Sequence, residues 1–533
     1  MNALSGTRAL LGLNIRRDKI LLPVNVATFA AVAAGSAAAT VGVYPDLPSR
    51  VQGSELINAT PALVVMYGRV YDPTSVGAIS MIKMIGMGTV MVGLFALMVV
   101  IRHTRADEEL GRLELVAAGS VGRYAPLAAA VVVAVLGSVL IGLTTALALI
   151  GTGLDVVGSL AFGTSWAVAG IAFAGVGAVA AQLTAGARAA RGLAIGGLAV
   201  AFVLRAAGDT MGGADPSWPT WLSPIGWSQQ MRPFAGNRWW VTLLPLALAV
   251  ALIGSATWLL RYRDAGAGML PQRAGPARAV GWLGTPLGLA WRLQRAAFLG
   301  WLSAFVLLSF VAGQIVSSIG ELLDSPVARQ LITALGGVDG VADAFISVEL
   351  SFVAVFASAY GISAALRLSG EEASLRGDLV LAGTVGRMRW AVSHLIIAMA
   401  GTGLLMLACG VALGLSHAAQ SRSPDVLGSD LVAAVVRLPA IWVLVGLTVA
   451  LYGLSRRVAP VAWGVLVATF LVSEIGPLLD LPKWVRQMSP FSHLPALPGG
   501  ELAFSPLLVL LAIAAVLVMV GLAGVRRRDI AVG

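Results

Sequence analysis

Two matching polar segments carry the charged residues whose types and spacing indicate chemistry. Arg112–Arg123 reads RLELVAAGSVGR and Arg376–Arg387 reads RGDLVLAGTVGR, 264 positions later, and eight of the twelve residues are identical. Acidic residues precede both copies, at Asp107–Glu109 and at Glu371–Glu372. A repeated mixture of carboxylates and guanidinium groups is suited to ion pairs and hydrogen bonds with a protein surface. The chemistry it favours is recognition of a partner, once in each half of the chain.

Sequence patterns typical of catalysis, metal binding or nucleotide binding are absent. The single cysteine, Cys409, lies in an apolar run, and the four histidines show no metal-ligand spacing. No G-x-x-x-x-G-K-[S/T] motif occurs, and the lysines are Lys19, Lys83 and Lys483 alone. Acids, histidines and serines form no cluster of the kind that an integral-membrane transferase needs. The sequence predicts a chain that is not an enzyme and binds no metal and no cofactor.

The composition is typical of a membrane protein. Hydrophobic residues make up 58% of the chain and charged residues 12%, and the mean hydropathy is +0.87. A helix needs about 20 apolar residues to cross a bilayer, and runs of that length recur along the whole chain. We therefore predict an all-α polytopic membrane protein. Its twelve transmembrane helices are expected at roughly 20–42, 78–101, 124–150, 158–183, 192–208, 240–260, 297–318, 345–366, 390–415, 430–454, 459–478 and 505–525.

The chain is predicted to consist of two parallel six-helix repeats. The first half covers residues 1–263, a linker covers 264–281, and the second half covers 282–533. Helix 6 is followed by Arg-Tyr-Arg-Asp at 261–264, and helix 12 by Arg-Arg-Arg-Asp at 526–529. An even number of spans in each half makes the repeats parallel. Most Lys and Arg residues fall on the side of the two termini, so both termini are expected to be cytoplasmic. The net charge of +10 is explained by this topology and indicates no nucleic-acid partner.

Capping signals predict a short cytoplasmic helix in each polar segment. Ser369 and Glu372 match a capping box in the second copy, and Thr104 takes a similar place in the first. Gly119 and Gly383 are placed to end the helices, which gives one helix of about three turns per copy. An alternative is a structural elbow that lies in the lipid headgroups. Lipid contact does not require the same sequence twice, however, whereas a symmetric protein partner does.

These features together resemble the ABC-2 type exporter permeases. The resemblance rests on the two six-helix halves, the basic amphipathic arm at Leu4–Lys19, and the doubled E-E…R-x-[E/D]-L-V…A-G-[S/T]-V-G-R loop. More narrowly, essentially the entire chain resembles the fused twelve-helix actinobacterial permeases related to tetronasin and multidrug exporters. In that family the loop after helix 2 is a coupling helix that sits in a cleft of the ATPase subunit. Carried over by position, the resemblance assigns coupling to Glu108, Arg112, Glu114, Gly119, Arg123, Glu372, Arg376, Asp378, Gly383 and Arg387.

The resemblance implies the membrane subunit of an ATP-driven exporter in a bacterial inner membrane. ATP and Mg²⁺ would bind to a separate ATPase chain, in two copies, and the cargo would be a hydrophobic or amphipathic compound such as a drug or a polyketide-like antibiotic. The alternative is a proton-coupled secondary multidrug transporter of the major facilitator kind, which also has twelve helices. That family's repeated loop is basic, G-x-x-x-D-R-x-G-R-R, whereas both loops here are acidic.

Residues within the predicted spans give candidates for a substrate cavity and a gate. Methionine adapts to varied apolar shapes, although ordinary helix packing explains the same pattern. The cavity candidates are Met81, Met84, Met87 and Met91 on helix 2 and Phe345 and Val348 on helix 8. Charges within spans are costly, so Lys83 and Glu349, which the repeat alignment places within about one helical turn of each other, form a candidate gate pair between the halves. Independent exposure of each charge near the membrane face is the alternative.

Two further charges within spans need partners. Arg205 is followed four residues later by Asp209, a spacing that predicts a local ion pair on one helix face. Arg437 has no such neighbour in sequence, and Glu474 is its candidate partner.

Overall fold

A computed structural model describes residues 3–59, 61–117, 119–211, 215–264, 266–270, 281–318, 338–373, 376–474 and 482–528. Every regular element within these ranges is a helix. The chain divides into two units, Met1–Gly275 and Pro276–Gly533, and each has its own apolar core.

The first unit begins with a short arm helix and continues through six long helices and several short ones. The long helices carry most of the apolar residues, and the short ones lie in the polar connections. The helices are α1 (Thr7–Arg17), α2 (Leu21–Val43), α3 (Leu47–Ala59), α4 (Pro61–Tyr67), α5 (Val76–His103), α6 (Arg105–Glu109), α7 (Arg112–Ala117), α8 (Ala125–Gly151), α9 (Val156–Leu183), α10 (Ala187–Met211), α11 (Trp218–Trp221), α12 (Pro224–Gln230) and α13 (Leu243–Tyr262).

The second unit follows a similar order of long and short helices. A 3₁₀ turn at Gly281–Gly284 precedes its first long helix, and another at Pro490–His493 precedes its last. The helices are α14 (Pro286–Ser318), α15 (Val338–Ala365), α16 (Arg367–Ala373), α17 (Arg376–Leu381), α18 (Arg387–Ser421), α19 (Val426–Val435), α20 (Leu438–Leu454), α21 (Val461–Glu474), α22 (Lys483–Arg486) and α23 (Phe504–Arg527).

Eleven helical segments within the described ranges are long and apolar enough to cross a membrane. They confirm a polytopic all-α membrane protein and coincide with eleven of the twelve spans expected from the sequence. The remaining one, expected at 459–478, is represented by α21, whose apolar part Val461–Phe470 is shorter than a full span. Residues 475–478 of that expected span lie outside the described residues.

The span expected at 430–454 is interrupted, and α19 and α20 meet at Arg437. Pro439 stands at the start of α20 and has no N–H to donate to the preceding turn. The backbone N–H of Arg437 donates to the carbonyl of Ala434, and its guanidinium Nη1 donates to the carbonyl of Ala433 at 2.5 Å in place of the regular helical bond. A proline inside an apolar run therefore ends one helix and begins the next.

Close packing in the first unit depends on small residues at helix crossings. Gly142 of α8 and Gly163 of α9 face each other so closely that a Cβ on either would overlap the carbonyl oxygen of the other. Small residues let helix backbones approach where the hydrophobic effect cannot drive them together. Trp166, one turn further along α9, is fully buried and lies against Gly88 of α5. These contacts hold α9 against α5 and α8, the two helices that lead into and out of the first polar segment.

Gly163→Ala is expected to destabilise the first unit because the added methyl group must push α8 and α9 apart. Overpacking of this kind costs about 1–3 kcal/mol. Thermal unfolding of the purified protein in detergent measures the effect. The matched control is Gly196→Ala in α10, where nothing lies within 4 Å of the added methyl. A melting temperature for Gly163→Ala equal to that of the control would contradict the packing described.

Candidate functional site

The first loop, residues 104–124, joins α5 to α8. It contains two short helices, so the single three-turn helix predicted from capping signals is wrong. Gly111 separates α6 from α7 and has a φ of 69°. A residue in this left-handed conformation cannot continue a right-handed helix. Gly119 lies two residues beyond the end of α7 at Ala117.

The second loop, residues 366–388, joins α15 to α18 through α16 and α17. Ser369 lies inside α16 and not at its N-terminus, so the predicted capping box is wrong. Thr104 in the first loop also fails to cap, because its hydroxyl donates to the carbonyl of Val100 at 2.6 Å. Gly383 lies two residues beyond the end of α17 at Leu381, the same offset as Gly119 in the first loop.

Glu108 is held from three directions inside the first unit. Its Oε2 accepts hydrogen bonds from Arg105 Nη1 at 2.7 Å and from Arg263 Nη2 at 3.0 Å. Its Oε1 accepts from the backbone N–H of Gly266 at 2.7 Å. The carboxylate is only 11% exposed, so these internal bonds use most of its capacity. Glu108 therefore anchors the loop, and its predicted part in coupling stays a prediction.

Glu372 occupies the equivalent position in the second loop and likewise binds the arginine that follows the last long helix of its unit. Its Oε2 accepts from Arg528 Nη2 at 2.6 Å and from the Tyr452 hydroxyl at 2.8 Å. The Arg528 guanidinium also stacks over the Tyr452 ring, 4.7 Å from its centroid. The carboxylate is buried and forms an ion pair with Arg528.

The arginine that ends each repeated segment binds the same residue as the glutamate before it. Arg123 Nη2 donates to the carbonyl of Arg263 at 2.9 Å, and Arg387 Nη1 donates to the carbonyl of Arg528 at 3.2 Å. Both arginines are otherwise exposed. Each loop is thus attached to the last helix of its unit at two points, one on each side of the central short helix.

A second acidic residue in each loop binds the arginine that opens the repeated segment. Asp107 Oδ1 lies 3.1 Å from Arg112 Nη1, and Glu371 Oε2 lies 3.9 Å from Arg376 Nε. Both carboxylates are buried and both arginines are 56% exposed. Each pair thus places a half-exposed guanidinium group at the surface.

The N-terminal arm is bound along the first loop. Arg17 donates to both oxygens of Asp107, at 2.5 and 3.0 Å. These hydrogen bonds raise the pKa of Arg17 above its ordinary value against the opposing effect of burial. At the other end of the arm, Gly122 N donates to the carbonyl of Ser5 at 2.9 Å and Tyr124 N to that of Ala3 at 3.1 Å. The arm therefore fixes the Gly-Ser-Val-Gly-Arg turn through the backbone.

The most exposed large hydrophobic residues in the described parts of the two loops are equivalent leucines. Leu115 in α7 and Leu379 in α17 occupy the same position of the repeat, and each is 80% exposed. Glu114 beside Leu115 is exposed, and Asp378 beside Leu379 is half-buried. Each loop thus presents an exposed leucine next to a carboxylate and three residues after a half-exposed arginine.

Sequence reasoning missed four of the residues that define this site. Arg263 and Arg528 were visible as the third residue of the matching Arg-Tyr-Arg-Asp and Arg-Arg-Arg-Asp endings. Leu115 and Leu379 were visible as an identity between the two copies. The residues assigned to coupling were charged residues and glycines, and a leucine in this chain looks like any other apolar residue of the sequence.

The candidate cavity residues do not share one environment. Met81 is buried in the core of the first unit, whereas Met87 and Met91 lie on its exposed surface and Met84 is half-buried. In the second unit Phe345 is half-buried and Val348 is exposed. Met81 therefore belongs to ordinary helix packing. A cavity lined by the others stays a prediction.

The predictions for charged residues within the spans have different outcomes. The Arg205–Asp209 ion pair is confirmed at 3.6 Å, with both side chains buried. Arg437 donates instead to backbone carbonyls, including that of Ser347 at 2.7 Å, while the side chain of its candidate partner Glu474 lies outside the described residues.

The candidate gate pair stays a prediction. Lys83 is exposed on α5 of the first unit, and Glu349 is half-buried on α15 of the second.

Comparison with known proteins identifies similar sequences over both units. A family model described as "Multidrug efflux system permease Rv1217c, C-terminal domain" matches residues 52–261 and 283–526, which include both loops. The multidrug efflux system permease protein Rv1217c of Mycobacterium tuberculosis is 41% identical over 533 residues, covering 99% of this chain and 95% of that protein.

Asp107→Asn is expected to release the N-terminal arm because it removes the charge that holds Arg17. Hydrogen bonds to charged groups contribute about 1.5–3 kcal/mol, so backbone hydrogen exchange in residues 3–17 should rise roughly tenfold or more. Mass-detected hydrogen exchange measures this directly. The control is Asp46→Asn, an exposed carboxylate that bonds only to nearby groups such as Ser49 N. Unchanged exchange in the arm of the Asp107 variant would rule out this tether.

Proposed function

Since this chain belongs to the family of multidrug efflux system permeases, we propose that it is the membrane subunit of an ATP-binding-cassette exporter. Its ATPase is a separate chain, present in two copies, and each copy docks on one loop. The permease spans a bacterial inner membrane with twelve helices and has both termini in the cytoplasm. Its cargo is hydrophobic or amphipathic and leaves the cell.

The exposed leucine at the same place in both loops is the observation that carries this proposal. A large aliphatic side chain that is 80% exposed gains free energy when a partner covers it. One such residue could be incidental on a protein surface. Leu115 and Leu379 are instead equivalent positions of a duplicated segment, so one kind of partner surface fits both.

The charges around each leucine define the partner's side of the contact. Arg112 and Arg376 each pair with a buried carboxylate and are themselves 56% exposed. Glu114 adds an exposed negative charge beside Leu115. A partner surface that complements this pattern is a shallow apolar cleft with charges of both signs at its rim. An apolar centre with a polar rim is the usual arrangement of a protein–protein interface.

Export from the cell requires a source of free energy, and the first experiment identifies that source. Inside-out vesicles that contain the chain and its neighbouring native subunits are loaded from outside with the fluorescent cation ethidium. ATP is supplied without a proton gradient, and separately a proton gradient without ATP. Uptake that follows ATP supports the proposal, whereas uptake that follows the proton gradient alone supports the secondary transporter.

The double variant Leu115→Asp with Leu379→Asp is expected to lose its ATPase partner, because a carboxylate cannot enter an apolar cleft without desolvation. Affinity purification of the tagged permease in mild detergent, followed by mass analysis, measures the amount of partner retained. We expect at least a tenfold loss, which corresponds to about 1.4 kcal/mol.

The matched control for this variant is Leu47→Asp. Leu47 is also an exposed leucine, and the predicted topology places it on the opposite side of the membrane. It should retain the wild-type amount of partner. Normal partner recovery with the double variant would show that the two leucines are not the docking residues.

A further inference from the structure

Each unit ends its last long helix with an arginine that is bound to the loop on both sides of the exposed leucine. In the first unit Arg263 follows α13, pairs with Glu108 through its guanidinium group and accepts a hydrogen bond from Arg123 at its carbonyl. In the second unit Arg528 follows α23 and makes the same two contacts, with Glu372 and Arg387. We call each set of three residues a latch.

The two latches bracket the short helices that carry the leucines. α7 lies between Glu108 and Arg123, and α17 lies between Glu372 and Arg387. In each unit, residues on both sides of the short helix bind the same arginine. A displacement of the short helix in either direction therefore pulls on that arginine. The geometry is present in two separate units, so it does not depend on the local neighbours of either.

Polar bonds, more than apolar packing, attach the first loop to its last helix. A cavity of about 360 Å³ lies under the loop, between Leu113 on the loop side and Leu127 and Leu260 on the helix side. Glu108 and Arg263 stand at the wall of this cavity. The bonds of the latch therefore form a direct polar link between the loop and the end of α13.

The ion pairs of the latches are largely shielded from water. Arg263 and Glu108 are 8% and 11% exposed, and Glu372 is buried as well. Breaking such a pair leaves a charge without a partner in a poorly hydrated place, which is strongly unfavourable. The latch therefore resists any movement that would pull the glutamate away from the arginine.

We infer that Arg263 and Arg528 are positioning residues that transmit movement of each loop to the last transmembrane helix of its own unit. This inference rests on the proposed function, because docking and ATP hydrolysis by the partner supply the movement. The latch makes each loop and its last helix move as one body. The start of the linker moves with the first latch, since Gly266 N is bound to Glu108 and Arg105 to the carbonyl of Ala267.

The test is the double variant Arg263→Gln with Arg528→Gln, measured in ethidium-loaded vesicles with the native partner subunits. Three quantities are recorded: partner bound, phosphate released from ATP, and ethidium moved. We expect partner binding and ATP hydrolysis to persist while the amount of ethidium moved per ATP falls at least fivefold. A role in loop shape alone would instead reduce partner binding and hydrolysis together.

The matched control is Arg261→Gln with Arg526→Gln, which changes the first residue of the same two sequence endings. Both of these arginines are exposed. They should leave the ratio of ethidium to ATP at the wild-type value. A third variant, Arg263→Lys with Arg528→Lys, keeps the charge and should recover part of the ratio; it also provides a measurement if the Gln variant fails to fold.

The possible outcomes separate the two claims. Wild-type vesicles that move no ethidium with ATP would contradict the proposed function itself. ATP-driven export in the wild type with an unchanged ratio in the Gln and Lys variants would overturn the latch alone. Loss of partner binding in the Gln variant would also overturn it, because the arginines would then only shape the docking surface.

Discussion

A carboxylate withdrawn from water needs a cation beside it, and this constraint organises both polar loops. Glu108 is only 11% exposed and Glu372 is buried, and each forms an ion pair with an arginine about 155 residues further along the chain. The pairing decides where each loop can lie and which helix it contacts. Leu115 and Leu379 can then remain exposed, because the charged neighbours, and not the leucines, attach the loops to the protein.

Most of the fold could be predicted from the sequence, because a bilayer requires long apolar helices. The spans expected at 20–42 and 505–525 correspond closely to Leu21–Val43 and Phe504–Arg527. Polar side chains account for the deviations. The helix expected at 390–415 continues to Ser421, and His417 in its added turn lies 2.9 Å from Asp430. An apolar pattern carries no record of such a pair, since it forms between two helices.

The position of the candidate site in the chain could be predicted from the sequence, but its backbone conformation and ion pairs could not. An identity of eight residues in twelve drew attention to both loops, because a duplicated polar segment is unusual in an apolar chain. The break at Gly111 and the role of Arg263 were not predictable. Glycine permits a left-handed conformation without requiring it, and a basic residue after a membrane helix is ordinary. Only the folded chain shows that this arginine meets Glu108.

The central claim is that two equivalent loops dock two copies of one kind of ATPase. Native mass spectrometry of the complex, released gently from its own membrane, tests this most directly. The account predicts a mass equal to the 54.7 kDa chain plus two ATP-binding-cassette subunits, with loss of both when Leu115 and Leu379 are changed. A chain that is recovered alone and still moves ethidium in vesicles without ATP would contradict it.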